Sequence, residues 1–159
     1  MTLSAPFWSA QTDKGFFISL DLDLSLFHKL PKTVSFEGKI FDKKDKFHIT
    51  LVHTKGYEEE VLKTFSDFIT DTPIEFGSFT NTFRKATRGD EQTILVECTV
   101  PRIEMLFEKI RHSVDIQIST QPTHVTLYLL TPPGIAIDSR EEMNNLPIVN
   151  IPELIDAFL

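Results

Sequence analysis

Cysteine is nearly absent. The single copy, Cys98, allows no internal disulfide, so the fold has to rest on a packed core, and a reducing, cytoplasmic setting is expected. No apolar run approaches the ~20 residues that cross a bilayer as a helix, and no membrane association is expected. Residues 1–15 lack both the basic start and the apolar stretch of a secretory leader. Positive charge is scarce too: 16 Lys and Arg stand against 23 Asp and Glu, a net charge of −7, with a pI of about 5.2. Coating long nucleic acid takes many cationic contacts to phosphates, so extended nucleic-acid binding is not expected. A small phosphorylated ligand held by a few local groups is compatible with this balance. There is one Trp and there are two Tyr, but 14 Phe, most of which have to pack a core.

What is present is ordinary for a soluble globular protein: 159 residues, 41% hydrophobic and 25% charged. One domain over residues 1–159 is expected, acting as a monomer. Cys98 lies inside the apolar run "TILVECTV" and reads as a buried, inert thiol rather than a nucleophile.

Periodicity divides the chain into strands and two helices. In residues 15–24 the leucines Leu20, Leu22 and Leu24 alternate with Asp21 and Asp23, a strand with one wet face. Pro31 ends a short helix or loop, "TVSFEGKIF" reads as one strand, and residues 42–46, "DKKDK", read as a solvated turn. Over residues 57–71 the period changes: Val61, Leu62, Phe65, Phe68 and Ile69 form one helical face. Glu58, Glu59 and Glu60 lie in the first turn, where the helix dipole favours them, and Pro73 stops continuation. Two strands follow around "TRGDE". A second helix, with Pro101 at its first position, carries Ile103, Leu106, Phe107 and Ile110. A strand over residues 123–130 ends at Thr131-Pro132-Pro133-Gly134, and the tail "IPELIDAFL" is short and amphipathic. Irregular interspersion of this kind predicts an α+β fold, antiparallel sheets covered by helices.

One tetrapeptide almost repeats. His48-Ile49-Thr50-Leu51 and His124-Val125-Thr126-Leu127 each sit in an apolar, β-branched run. Side chains alternate along a strand, so His48 and Thr50 share one face while Phe47, Ile49 and Leu51 share an apolar back. The second copy obeys the same rule, with Tyr128 joining His124 and Thr126. His53 is an odd number of residues from His48 and points the other way in a strand without a bulge.

Two imidazoles with two hydroxyls suit several chemistries unequally. Zinc binding lacks a Cys or carboxylate at ligand spacing beside either His, and no Ser sits in a nucleophile-elbow context. Acid–base catalysis at a phosphodiester fits better. One imidazole takes a proton from the nucleophile, the other gives one to the leaving oxygen, and hydroxyls donate to the non-bridging oxygens. No metal or other cofactor is called for.

The twice-written His-aliphatic-Thr-Leu resembles the two-histidine (2H) phosphoesterase superfamily, which includes the LigT-like RNA cyclic phosphodiesterases. The resemblance implies a bilobal fold, two antiparallel sheets with flanking helices around a central cleft. It implies His48 and His124 as an acid–base pair and Thr50 and Thr126 as phosphate holders. It also implies a nucleotide or short-oligonucleotide substrate, foremost a nucleoside or RNA-terminal 2′,3′-cyclic phosphate, with 2′–5′ linked or cyclic oligonucleotide signals as the alternative. A binding module that holds a phosphorylated ligand without turning it over is the reading from another class. Further substrate contacts are expected from Tyr128, by stacking or donation, from Trp8 and Phe17 near the first strand, and from Arg84, which lies with Lys85 and Arg88 near a hairpin tip.

Overall fold

The computed structural model describes residues 2–132 and 134–158; Pro133 of the expected strand terminator lies outside them. The chain opens with a hairpin, β1 (Phe7–Thr12) and β2 (Gly15–Asp21). Asp21 is the last strand residue, so the expected alternation through Leu24 is cut short. Asp23 accepts from the Ser25 amide at 2.8 Å and opens a 3-10 turn over Leu24–Phe27. A short carboxylate side chain competes for backbone donors in this way and favours a cap over strand continuation. "TVSFEGKIF" is a hairpin rather than one strand: β3 (Thr33–Phe36) returns as β4 (Lys39–Lys43) through Glu37 and Gly38, both at positive φ. Asp42 and Lys43 of the expected solvated turn therefore belong to β4. Then come β5 (His48–Thr54), α1 (Glu58–Asp71), β6 (Ser78–Arg88), β7 (Glu91–Thr99), α2 (Ile103–Val114) and β8 (His124–Leu129). Two short helices, α3 (Arg140–Asn145) and α4 (Pro152–Asp156), end the described chain. Pro101 precedes the α2 cap residue Arg102 instead of occupying the first helical position.

All pairings are antiparallel, and the strands form one continuous sheet of eight rather than two. The join is the pairing of β5 with β8 at Ile49 and Val125. On the outer side of β5 lie β2 and then β1; on the outer side of β8 lie β7 and then β6. The β3–β4 hairpin attaches further along the β5 edge of β8, at Tyr128 and Leu129. The two longer helices cover one face. Val61 and Phe65 of α1 and Leu106, Phe107 and Ile110 of α2 pack in one core with Ile49, Leu51, Val125 and Leu127, all fully or almost fully buried. A separate small cluster of Ala86, Leu95, Ile135, Ile137 and Met143 holds residues 134–146 to the other face, over β6 and β7.

Candidate active site

The face opposite α1 and α2 carries both histidine motifs. With Ile49 across from Val125, one residue either way sets His48 beside Thr126 and Thr50 beside His124. Directly opposed side chains of an antiparallel pair stand ~4.5–5.5 Å apart at Cβ. The local twofold of the pairing thus converts two copies of a linear motif into one four-group cluster. His48, Thr50, His124 and Thr126 all line a single cavity of about 400 Å³. Among the described residues, neither imidazole nor either threonine hydroxyl has a hydrogen-bond partner within the protein.

Each motif ends in a β-bulge. On β5, Ser19 pairs with Thr50 and Ile18 with Val52, which leaves Leu51 extra. On β8, Leu95 pairs with Thr126 and Ile94 with Tyr128, which leaves Leu127 extra. Each bulge reverses the alternation beyond it, with opposite consequences for two expectations. His53 returns to the cleft face and lines the cavity, whereas simple alternation turns it away. Tyr128 turns from the cleft into the core, is fully buried, and donates its hydroxyl to the Pro31 carbonyl at 2.7 Å. It cannot serve as a stacking platform there.

Trp8 and Phe17 do line the cavity, as expected. The Trp8 indole donates to Asp21 Oδ1 at 2.7 Å and meets the His48 ring edge-on at 5.2 Å. Phe17 stacks on His53, centroids 4.3 Å apart and rings 4° from parallel. Arg84 is not in the cleft. It is spent on Glu97 Oε2, at 2.9 Å, and on the Leu146 carbonyl. Its neighbours are paired as well, Lys85 with Glu37 and Arg88 with Glu142 and the Ala136 carbonyl. The basic cluster fastens loops to the sheet.

Each motif histidine has a carboxylate opposite it on the outer strand: Asp21 faces His48, and Glu97 faces His124. Glu97 is shared by Arg84 and Arg140, the latter at 2.6 Å. Burial, helped by the Lys44 ammonium and resisted by Asp21, pushes His48 down to about 4. Burial, then His48 and Lys44, push His124 down to about 4 against weaker pulls from Glu97 and Asp138. His53 behaves oppositely. Its Nδ1 lies 2.7 Å from Asp138 Oδ1 and its Nε2 lies 2.8 Å from the Lys14 carbonyl. The Asp138 bond raises its pKa, against some loss to burial. Two acceptors on one ring favour the doubly protonated imidazolium. Gly15 makes room for it: a Cβ there would come within 2.7 Å of His53 Nε2.

Sequence reasoning passed over Lys44, Ser19, Gln121 and Asp138, all on the cavity wall. Gln121 clasps the His53 backbone from both sides, accepting from its amide and donating to its carbonyl. Gly134, Ile135, Ala136, Ile137 and Asp138 form one wall of the cleft. A second cavity of about 610 Å³ shares His53, Gln121 and Asp138 with the first and reaches Lys55 and Tyr57. Cys98 is buried, and burial pushes its thiol up to about 12, so no thiolate is available. Among the described residues no three His, Cys, Asp or Glu side chains gather as metal ligands, and no helix is long and apolar enough to cross a membrane. Compared with protein-family models, curated proteins and solved structures, the chain matches none.

Proposed function

We propose that the chain is a two-histidine phosphodiesterase that hydrolyses nucleoside or RNA-terminal 2′,3′-cyclic phosphates without a metal ion, its two lobes meeting at the β5–β8 pair. The observation that carries this reading is the Ile49–Val125 register, which puts two unpartnered imidazoles and two unpartnered hydroxyls into one cleft. A cyclic phosphodiester between them lets one imidazole take the proton of the attacking water. The water oxygen bonds to phosphorus, the P–O bond to one ribose oxygen breaks, and the second imidazole, as imidazolium, protonates that oxygen. Thr50 and Thr126 donate to the non-bridging oxygens, whose charge grows on the way to the transition state. The product is a nucleoside monophosphate or an RNA end bearing one.

Cleavage of 2′–5′ linked or cyclic oligonucleotides is the second reading. It is favoured by the adjoining cavity, which gives a longer ligand somewhere to go beyond His53 and Asp138. A panel of 2′,3′-cyclic mononucleotides, 2′–5′ oligoadenylate and cyclic dinucleotides, incubated in EDTA and resolved by chromatography, tests both. Turnover of the cyclic mononucleotides, abolished by His48→Ala or His124→Ala, is expected. Consumption of the oligonucleotides alone would favour the second reading. Activity lost on chelation and restored by zinc would overturn the mechanism. No product from any substrate, with phosphate-ester binding intact, would make the protein a binding module.

A further inference from the structure

Lys44 sits where β4 and β5 part company along one edge of β8. Its amide donates to the carbonyl of Leu127, the bulge residue, at 2.9 Å, which ties its backbone to the second histidine motif. Its side chain lines the cleft. Among the described residues the ammonium has no hydrogen-bond or ion-pair partner, although carboxylates are near. Asp21 on β2 is held by the Trp8 indole, Glu97 on β7 by two arginines, and Asp138 on the far wall by His53. His53, whose pKa the Asp138 bond raises, lines the same cavity. Across the cleft floor Ser19 is 1% exposed, and its hydroxyl is also without a partner. A half-buried cation and a buried hydroxyl left unpaired in one cavity are both costly to keep, unless a ligand completes them.

We propose that Lys44, with Ser19 across the cleft floor, is the anion anchor of this cleft and takes a non-bridging oxygen of a bound phosphate. The anion then does more than dock. Before binding, the Lys44 charge works with burial to keep both imidazoles neutral. The single negative charge of a bound phosphodiester offsets that of Lys44, so at neutral pH an imidazole gains its proton more readily once substrate is in place. The general acid is thereby armed by the substrate. This last step rests on the phosphodiesterase reading; the anion site does not.

The test uses the full chain labelled with ¹⁵N-histidine, with inorganic phosphate as the probe at pH 6. His48→Gln and His124→Gln spectra assign the two rings. In wild type both rings are expected to be neutral without phosphate, and at least one is expected to become protonated as phosphate saturates. Lys44→Met should weaken phosphate binding about tenfold or more, ~1.4 kcal/mol, and should raise the pKa of both free imidazoles. Lys44→Arg should restore the low values, because charge rather than shape sets them. Phosphate binding that ignores Lys44→Met, imidazoles that do not move, or Lys44→Arg behaving like Lys44→Met would overturn the inference. The amide spectrum of each variant confirms its fold. If phosphate binds and protonates a ring but no diester is turned over, the hydrolase reading falls and the anchor stands. If diesters are cleaved while Lys44 proves irrelevant to phosphate, the reverse holds.

Discussion

Under the proposed hydrolysis the two histidines share one proton, which makes pH the most informative perturbation. On that reading the competent ligand-free state has one imidazole charged and one neutral. With both near about 4, about two molecules in a thousand are in that state at pH 7, against about one in three for imidazoles at the ordinary value of about 6.5. Lowering the pH from 7 to 5 should therefore raise kcat/KM by about 80-fold, close to tenfold per unit, towards a maximum near the imidazole values. The kcat profile reports the enzyme with substrate bound, where an anion lies against both rings, and its maximum should fall at higher pH. Steady-state kinetics on a 2′,3′-cyclic mononucleotide from pH 4.5 to 8 gives both curves. Circular dichroism at each pH separates unfolding from titration. A kcat/KM that is flat or falls from pH 7 to 5 in folded protein would refute the claim that burial and Lys44 hold both imidazoles neutral.

Stability should follow the same groups. An imidazole depressed from 6.5 to about 4 binds fewer protons folded than unfolded between those values. Its contribution is complete above about pH 6.5 and is lost as pH falls to about 4, at most a few kcal/mol per ring and less for partly exposed His48. His53 has the opposite sign: its raised pKa gives stability that is present below 6.5 and is lost as pH rises through the folded value. Urea unfolding against pH should show both limbs, and Asp138→Asn should remove the alkaline one. Replacing His48 or His124 by Ala should cost about 10²–10⁴ in kcat, and Thr50→Ala or Thr126→Ala less, all read by initial rates. Arg84→Ala strips one of two cations from buried Glu97. It should lower stability by about 1–3 kcal/mol in urea melts while activity falls little at temperatures where the protein stays folded.

The four motif residues were legible in the sequence because strand alternation needs only local information. So was α1, whose apolar stripe and glutamate-rich first turn agree. Lys44 was not legible. In "DKKDK" it looks like any solvated lysine, and only the fork of β4 and β5 along β8 turns it into the cleft. Asp138 was hidden for a different reason. It lies 85 residues from His53, and nothing local announces a pair closed by a loop that folds back over the sheet. The hairpin inside "TVSFEGKIF" was missed because its turn residue Glu37 takes φ 52, a conformation that glutamate rarely advertises. A single connected sheet instead of two follows from one pairing, Ile49 with Val125, which no periodicity can reveal.

The bulges are the least legible feature and the one with the clearest consequence. A β8 strand without one would carry Tyr128 beside Thr126 and His124, where its ring and hydroxyl would meet the substrate. With Leu127 extra, Tyr128 lies on the core side, and its hydroxyl closes on the Pro31 carbonyl instead. Burial also drives the phenol pKa upward, so it stays a neutral donor throughout the working range. Tyr128→Phe discriminates between the two strand geometries. Removing the hydroxyl leaves a part-buried carbonyl without that donor and should cost about 1 kcal/mol in urea unfolding. In the same variant kcat and KM should stay within about twofold, since nothing in the cleft changes, and ~0.4 kcal/mol is all that such a factor represents. A Tyr128→Phe protein with unaltered stability and a KM raised tenfold would put the phenol back in the cleft, and the bulge with its reversal of faces would have to be given up.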